Sequence, residues 1–375
     1  MINPAKFYEK LIKNDISFFT GVPDSLLKDF CSYVTVHVVE KNHIINVNEG
    51  AAIALASGYH LSTGKYALVY MQNSGFGNAI NPLLSLADPD VYSIPMLLMV
   101  GWRGEPGVKD EPQHVKQGRV QIQILEALEI PYITIGESSP FSHNEIDNLI
   151  SKMKHEKRPC VILISKGVFE PYSFRMQDSM RFTLMREDAI KLIINKLKEN
   201  DIIVSTTGMT SRELFEYRKS LGHKYGNDFL TVGSMGYCSQ IALGIALQKP
   251  DRKIFCLDGD GSVLMHMGTL AIAGVKGPAN FKHIILNNGA HDSVGGQPTV
   301  GLKIKLSEIA EACGYNHTYV IEKPEDINDI FPVFRNEDGP SLMEIRVNKG
   351  AREDLGRPTT TPAENKLGFM NSLKK

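Results

Sequence analysis

The chain has 375 residues, of which 42% are hydrophobic and 22% are charged, and its formal net charge is −1. Such a chain is long enough for two ordinary globular domains. Its near-zero charge creates no global field that attracts nucleic acid or an anionic membrane, so any anion site must be built locally.

Neither a membrane span nor a targeting signal is predicted. No stretch approaches the ~20 apolar residues of a spanning helix, and the opening MINPAKFYEK lacks the hydrophobic region of a signal peptide. The cysteines are scattered, odd in number and without metal-type spacing, which favours reduced core residues in a cytoplasmic protein. They are Cys31, Cys160, Cys238, Cys256 and Cys313.

Predicted strands alternate with predicted helices along the chain, which favours parallel sheets covered by helices. In the first half, the predicted strands are 16–20, 43–47, 66–71, 94–100, 132–135 and 160–165, with helices such as 7–13 and 146–153. In the second half, they are 202–205, 230–232, 254–257, 283–286, 318–321 and 342–347.

This order predicts an α/β fold of two tandem doubly wound parallel-sheet domains, with no middle domain between them. The expected domains are residues 1–166 and 185–347, joined by a linker at 167–184. Residues 348–375 are polar and broken by glycine and proline, so we expect either a disordered end or a lid over the active site.

The stretch LDGDGSVLMHM, residues 257–267, ends a predicted buried strand with two acidic-glycine steps. Gly259 and Gly261 let the backbone turn sharply and approach a ligand closely. Ser262 is predicted to be the N-cap of the following helix. Asp258 and Asp260 then lie at the carboxyl end of a strand, where open α/β sheets bind ligands. They either close Asx turns or hold a cation.

A second polar strand end follows in HIILNNGAH, where Asn287 and Asn288 close the next apolar strand. The spacing from Gly261 suits one helix and one returning strand, so Asp260 and Asn288 are expected at neighbouring strand ends. A carboxylate, an amide oxygen and a backbone carbonyl form an oxygen set that suits Mg²⁺ completed by phosphate oxygens. The alternative is an Asx turn at each strand end.

The GDGS and NN pair resembles the signature of thiamin diphosphate-dependent 2-oxo acid decarboxylases. The resemblance implies thiamin diphosphate and Mg²⁺ as cofactors, with Asp260, Asn288 and the carbonyl of Ala290 as metal ligands. It makes Glu49, in INVNEGAAIALASGY, the catalytic carboxyl group facing the aminopyrimidine ring. It also makes Met235, in GSMG, the apolar support beneath the bent cofactor. Further implied cofactor contacts are Asn73, Gly233, Ser234, Gly259, Gly261 and Ser262.

Finer motifs resemble the phosphonopyruvate decarboxylases, with the sulfopyruvate decarboxylases as close relatives. The motifs are GVPDS at 21–25, MQNSGFGN at 71–78, HDSVGGQPT at 291–299, and DLGRPT with ENK in the tail. The resemblance implies conversion of 3-phosphonopyruvate to phosphonoacetaldehyde and CO₂ in phosphonate biosynthesis. It also implies a homodimer or larger homo-oligomer with active sites at the subunit interface, and neither nucleic acid nor membrane as a partner.

The remaining candidates would handle the substrate and its protons. Asp24 and His291 are the other predicted catalytic residues. An acid near a dianionic substrate is unfavourable unless it binds a cation or stays protonated, so Asp24 in GVPDS is expected to act in proton transfer. His291 and Ser293 closely follow Asn288 and Ala290, and are expected either to orient the substrate carboxylate or to protonate the enamine. Arginine suits bidentate binding of an oxyanion, and basic side chains are expected near a phosphonate. The predicted substrate-binding residues are Ser25, Arg103, Lys109, His114, Ser293, Arg352 and Arg357.

Several other functions stay open on the sequence. A sulfopyruvate decarboxylase would share the cofactor machinery and differ in the acid group of its substrate. A carboligase would pass the bound fragment to a second carbonyl compound. A non-catalytic nucleotide-binding or regulatory protein would be expected to lack the activating glutamate or the metal site. A nicotinamide enzyme is disfavoured, because no G-x-G-x-x-G lies between a predicted strand and helix.

Overall fold

The computed structural model describes residues 1–136, 141–172, 181–222 and 225–374. The chain divides into two compact units, residues 1–176 and 177–375. The predicted boundaries at 166 and 185 flank this division, and much of the predicted linker, residues 173–180, lies outside the described residues. No helix in the described part of the chain is long and apolar enough to cross a membrane.

The first unit is built on a six-stranded parallel sheet in the order β2-β1-β3-β4-β6-β5. Its strands are β1 (Ile16–Gly21), β2 (His43–Ile45), β3 (Tyr66–Gln72), β4 (Leu97–Gly101), β5 (Tyr132–Ile135) and β6 (Cys160–Ile164). Its helices are α1 (Pro4–Lys13), α2 (Lys28–His37), α3 (Glu49–Thr63), α4 (Phe76–Pro82), α5 (Pro112–Ala127) and α6 (His143–Glu156).

The second unit repeats this plan with a six-stranded parallel sheet in the order β13-β14-β10-β9-β7-β8. Its strands are β7 (Ile202–Ser205), β8 (Asp228–Leu230), β9 (Ile254–Gly259), β10 (Phe281–Asn287), the short hairpin β11 (Ala290–His291) and β12 (Gln297–Pro298), β13 (His317–Ile321) and β14 (Ser341–Arg346). Its helices are α7 (Arg186–Ile194), α8 (Met209–Ser220), α9 (Cys238–Gln248), α10 (Asp260–Met265), α11 (Thr269–Lys276), α12 (Leu306–Ala312), α13 (Pro324–Asn336) and α14 (Pro362–Ser372).

Both sheets are covered on both faces, which is why their strands read as continuous apolar runs. In β3, Leu68 and Tyr70 pack into one buried layer, while Val69 and Met71 pack into the layer on the opposite face. This alternation follows from the two-residue period of a strand. The predicted α/β fold of two doubly wound parallel sheets is therefore confirmed.

The carboxyl edges of both sheets carry the polar residues singled out in the sequence. In the first unit, Asp24, Glu49 and Asn73 follow β1, β2 and β3. In the second unit, Asp260 and Asn288 follow β9 and β10, which are neighbouring strands. Parallel strands end at the same edge of a sheet, so each unit carries its own polar residues at the carboxyl edge of its sheet.

Two local predictions about the second unit are wrong. Ser262 is not an N-cap, because α10 already begins at Asp260 with Gly259 in the cap position. The tail is not a disordered end where it is described, because residues 362–372 form α14. A capping box between Thr361 and Glu364 starts this helix.

The tail is held against the second unit at several points. Phe369 is buried, and the Asn365 side chain accepts from the Leu230 N–H and donates to the Asp228 carbonyl at the end of the sheet. Helix α8 binds the segment before α14, because Arg212 donates to the Leu355 and Gly356 carbonyls. The expectation of an active-site lid stays a prediction.

The cysteine expectations hold for four of the five residues, which are buried, while Cys313 is half-buried. Burial raises the pKa of the Cys31, Cys160, Cys238 and Cys256 thiols, which disfavours the reactive thiolate form. Although the cysteines lack metal-type spacing in the sequence, two of them lie close together in the structure. The sulfur atoms of Cys238 and Cys256 lie 3.5 Å apart, beside Asp258.

Acid is expected to destabilise the first unit partly through His43. Its Nε2 lies 2.9 Å from the Tyr70 hydroxyl, and burial lowers its pKa to about 4. The unfolded chain protonates near pH 6.5, so the neutral histidine stabilises the fold above that pH. This contribution, at most about 3 kcal/mol, is lost as the pH falls towards 4.

Urea unfolding at several pH values checks this expectation. The free energy of unfolding of wild type should fall more steeply between pH 6.5 and 4 than that of His43→Phe. Equal slopes for the two proteins would remove His43 from this account.

Candidate active site

Glu49 is the first residue of α3 and is only 4% exposed. Asn48 caps the helix by accepting from the N–H groups of Gly50 and Ala51, which fixes the backbone that carries the glutamate. The Asn78 amide donates to Glu49 Oε2 over 2.8 Å. Burial raises the pKa of Glu49, so this carboxyl group is able to hold a proton nearer neutral pH than an exposed glutamate.

A glycine opposite Glu49 leaves room for its carboxylate. A β-carbon at Gly75 would overlap with Glu49 Oε1. Residues 73–75 form a short turn after β3, and α4 follows from Phe76 and carries Asn78. The MQNSGFGN segment thus contacts the glutamate in two ways, through an amide donor and through a missing side chain.

Asp24 lies beyond β1 and is fully buried. Its Oδ1 accepts from the Gln72 amide over 2.5 Å, and its Oδ2 accepts from the Leu26 N–H over 2.8 Å. Ser74 in turn donates to Gln72 Oε1. Burial raises the pKa of Asp24, although these hydrogen bonds partly offset the increase. A buried carboxyl group of this kind is suited to proton exchange.

Arg103 follows β4 and forms a bidentate ion pair with Asp110, with donor–acceptor distances of 2.7 and 2.5 Å. Its Nη1 also donates to Ser25 Oγ over 2.9 Å, which brings Arg103 and Ser25 together as candidate substrate residues. Asn73 binds the Arg103 backbone on both sides, donating to its carbonyl and accepting from its N–H. Asn73 therefore holds the backbone of the segment that carries Arg103.

The other two basic candidates of the first unit lie in different surroundings. Lys109 is exposed. His114 is buried in α5, and burial lowers its pKa to about 4, so its imidazole is neutral at neutral pH. The expectation that His114 offers a positive charge to the substrate is therefore not supported at neutral pH.

In the second unit, Asp260 is 2% exposed at the start of α10. The Thr299 hydroxyl and the backbone N–H groups of Gly261 and Asn288 donate to its carboxylate. Burial nevertheless raises its pKa to about 6. Burial makes ionisation of the Asp260 carboxyl group costly, and a bound cation would offset that cost.

Asn288 directly follows β10, and Ala290 is the first residue of β11. The Asn288 N–H donates to the Asp260 carboxylate. The Ala290 N–H donates to Asn288 Oδ1 over 3.0 Å, so this strand end does form an Asx turn. A carbonyl oxygen has two lone pairs, so this bond leaves Oδ1 able to bind a cation as well. The interpretation of Asp258 as a turn residue is wrong, because Asp258 lies within β9 opposite Ile285. It accepts from the Gly259 N–H, and its Oδ2 lies 3.5 Å from His283 Nε2.

The GSMG loop and the imidazole of His291 lie against Gly261. A β-carbon at Gly261 would lie 3.3 Å from Met235 Cε and from His291 Nδ1, so both side chains closely approach that glycine. Ser234 has φ 53°, which is rare for a residue other than glycine and shapes the turn that carries Met235. Burial lowers the pKa of His291 to about 4, so its ring is neutral at neutral pH.

Ser262 holds the GSMG loop in place through its hydroxyl group. It is buried, and its hydroxyl accepts from the Gly236 N–H and from the Thr206 hydroxyl, each over 3.1 Å. It thus links the GSMG loop to the end of β7. Gly233, the first residue of the GSMG loop, and Gly259, the last residue of β9, are both half-buried.

The remaining candidates lie on the rim of the second unit. Ser293 is exposed, beyond the β11 strand. Arg352 is exposed and pairs with Glu187, Glu216 and Asp354. Arg357 is also exposed, in the tail segment before α14.

Several supporting residues were missed in the sequence. Thr299 donates to Asp260, and a β-carbon at Gly301 would lie 2.6 Å from Asp260 Oδ2. Asn287 donates to the Gly301 carbonyl and so holds the same segment. In the sequence, residues 297–299 stand out only as part of a motif, because nothing in their spacing reveals that the chain returns to Asp260.

Comparison with known protein families finds one matching domain in each of the two units. Residues 5–125 match the model of the thiamine pyrophosphate enzyme N-terminal TPP binding domain. Residues 206–345 match the thiamine pyrophosphate enzyme C-terminal TPP binding domain. Glu49 and Asn78 fall in the first match, and Met235, Asp260 and Asn288 fall in the second.

Similar proteins cover nearly the whole chain. It is 33% identical to the phosphonopyruvate decarboxylase of Streptomyces viridochromogenes, across 97% of this chain and 93% of that one. It is 32% identical to the phosphonopyruvate decarboxylase of Streptomyces hygroscopicus, across 97% and 92%. It is 29% identical to the sulfopyruvate decarboxylase of Methanosarcina acetivorans, across 100% and 98%. The chain belongs to the thiamine pyrophosphate enzymes and carries their two cofactor-binding domains in tandem.

Proposed function

We propose that this protein is a carboxy-lyase that converts 3-phosphonopyruvate to phosphonoacetaldehyde and CO₂ in phosphonate biosynthesis. Two observations carry the proposal: the first unit has a buried Glu49 with a raised pKa, and the second unit has buried Asp260 beside half-buried Asn288. The two most similar relatives named above, which share 32–33% identity over nearly their full lengths, support the choice of substrate.

Mg²⁺ would be held by Asp260, by Asn288 Oδ1 and by the Ala290 carbonyl. Hard oxygen donors of this kind suit Mg²⁺, which completes its shell with phosphate oxygens and water. The raised pKa of Asp260 supports a bound cation, since a nearby positive charge favours the ionised carboxylate. The diphosphate of the cofactor would be anchored through this metal.

When bound, thiamin diphosphate supplies an electron sink for the charge left by the departing CO₂. Glu49 would hold a proton towards the pyrimidine ring, a task that its buried position and raised pKa favour. Met235 would support the cofactor from beneath, and Gly233 would offer its carbonyl to the cofactor's amino group. Ser234, Gly259, Gly261 and Ser262 would shape the surrounding loops.

Substrate binding is assigned to the polar group at the carboxyl edge of the first sheet. Arg103 would direct its free donor positions at the phosphonate, with Ser25 beside it and Asp110 holding the guanidinium in place. Asp24 would exchange a proton with the product. Neutral His291 and Ser293 would orient the carboxylate, and Arg352 and Arg357 stay predicted substrate contacts from the tail.

A sulfopyruvate decarboxylase is the second candidate, because one such relative matches the whole chain at 29% identity. The two acids differ in charge, since a phosphonate can carry two negative charges and a sulfonate one. A comparison of kcat/KM for phosphonopyruvate, sulfopyruvate and pyruvate separates them. We expect phosphonopyruvate to be preferred. Preference for sulfopyruvate would keep the cofactor chemistry and overturn the substrate.

The space beside Glu49 gives a direct test of its position. Gly75→Ala would place a methyl group where Glu49 Oε1 lies, so the carboxylate must move. Displacement of a catalytic group by about 1 Å costs on the order of 10²-fold in rate, and we expect kcat to fall by about that factor. Gly77→Ala is the matched control, because a β-carbon there meets nothing within 4 Å. Equal kcat values for the two variants would contradict the assigned position.

We further propose that the protein is at least a homodimer whose active sites are shared between subunits. Ile272 and Val275 lie one turn apart on α11 and are 53% and 70% exposed, which suits a contact surface. Inactive Glu49→Gln and Asp260→Asn subunits should then complement each other when coexpressed. Random mixing of dimers restores one site in each mixed dimer, or about one quarter of wild-type activity. No recovery in proven mixed dimers would exclude shared sites.

A further inference from the structure

Arg186, at the start of α7, is the centre of a buried ion cluster in the second unit. Its Nε and Nη2 donate to the two carboxylate oxygens of Glu213, each over 2.9 Å. Its Nη1 donates to Asp292 Oδ2 over 2.7 Å. The side chains are 6%, 1% and 12% exposed, in that order. A planar guanidinium held by two carboxylates in the interior has little freedom to move.

Asp292 connects this cluster to two other segments. Its Oδ2 also accepts from the Asn288 side-chain amide over 2.9 Å. Its carboxylate accepts from the Gly350 N–H, at 3.1 and 2.9 Å to the two oxygens, and Arg186 donates to the Gly350 carbonyl over 3.3 Å. One carboxylate therefore joins α7, the loop after β10 and the first residues of the tail.

The contact with Asn288 decides which way its amide points. An asparagine side chain has one donor end and one acceptor end. Asp292 can only accept, so it holds the Nδ2 end and turns Oδ1 to the other side, where the Ala290 N–H also meets it. A reversed amide would present its donor end to a cation and would be repelled.

We propose that Arg186 and Asp292 are positioning residues that orient Asn288 for metal binding. This inference rests on the proposed function, because it takes Asn288 Oδ1 to be a ligand of the cofactor's Mg²⁺. Neither residue touches the metal in this assignment. Arg186 fixes Asp292, and Asp292 fixes the amide. Such outer partners typically change metal affinity by 10–100-fold when they are lost.

A purely structural ion pair would behave differently. Its loss would lower stability and active fraction alike, and added metal would not restore the rate. Loss of a positioning contact should weaken metal binding and raise the apparent KM for Mg²⁺, while kcat largely recovers at saturating metal. The metal affinity therefore separates the two roles.

The test variant is Asp292→Asn in the full chain. It keeps the size of the side chain, but it removes the charge that holds Arg186 and places a donor where one acceptor was. Mn²⁺ is the probe, with its dissociation constant measured by electron paramagnetic resonance in the presence of thiamin diphosphate. We expect binding weaker by about 10–100-fold than in wild type.

The matched control is Asp201→Asn. Asp201 pairs with Arg335 in the same bidentate manner, over 2.8 and 2.7 Å, and is 2% exposed. This pair joins α13 to the start of β7 and does not involve the metal loop. We expect the control to lower the melting temperature and to leave the Mn²⁺ dissociation constant unchanged.

The outcomes separate this inference from the function on which it rests. Wild-type Mn²⁺ affinity in folded Asp292→Asn would overturn the positioning role and leave the proposed function standing. Absence of Mn²⁺ binding by wild type with thiamin diphosphate would overturn both. If Asp292→Asn does not fold, Arg186→Lys provides the test, since it keeps the charge and loses the bidentate geometry. Unchanged Mn²⁺ affinity in that variant would also overturn the inference.

Discussion

Replacement of Glu49 by glutamine is expected to lower kcat by about 10²–10⁴-fold, with the fold intact. Glutamine has nearly the same shape and can still accept from the Asn78 amide, but it cannot hold and release a proton. The raised pKa of Glu49 shows that its site already disfavours the charged form, so a neutral side chain fits there. The rate of aldehyde release at saturating cofactor measures the effect, and thermal unfolding checks the fold.

Glu145→Gln is the control for this experiment. Glu145 also lies in the first turn of a helix, but it is exposed on α6. A charge at a helix N-terminus is stabilising in both places, so the control reproduces that part of the change. Near-normal turnover of Glu49→Gln would remove the glutamate from the proposed chemistry.

Replacement of Asp260 by asparagine is expected to weaken Mg²⁺ binding by about 100-fold or more, because a direct ligand should matter more than an outer partner. Activity should fall with it, since the diphosphate loses its anchor. The dissociation constants of Mg²⁺ and thiamin diphosphate, measured by titration calorimetry, report the loss. The exposed Asp251, in the turn before β9, provides Asp251→Asn as a control with the same change of charge.

The same variant should be at least as stable as wild type without metal. The pKa of Asp260 is raised to about 6, so its ionisation destabilises the folded chain progressively between about pH 4 and pH 6 and fully above. The neutral amide lacks this penalty. A large loss of stability in metal-free Asp260→Asn, measured at neutral pH, would mean that the carboxylate has a structural task instead.

The sequence predicted the parts of the site that lie on strand ends and helix starts. Asp260, Asn288 and Glu49 each follow an apolar run, and parallel topology places such residues at one edge. Glycine placed beside them carried information as well. Gly75 leaves room for the Glu49 carboxylate, and Gly301 leaves room for the Asp260 carboxylate. The sequence alone does not reveal which carboxylate each glycine faces.

Long-range contacts could not be predicted in the same way. Arg186 lies more than a hundred residues from Asp292, and no local pattern links an arginine at a helix start to a loop aspartate. The burial of His114 was also hidden, because its helix has a weak apolar face and the pKa depends on packing. Helix α14 was missed since it buries little beyond Phe369, and glycine and proline residues precede it.

The most direct test of the proposed function is the cofactor dependence of phosphonoacetaldehyde release from phosphonopyruvate. Protein stripped of metal and cofactor should form no aldehyde. Addition of Mg²⁺ and thiamin diphosphate together should restore release of aldehyde and CO₂ in equal amounts. Release without either cofactor, or no release with both, would contradict the proposed reaction.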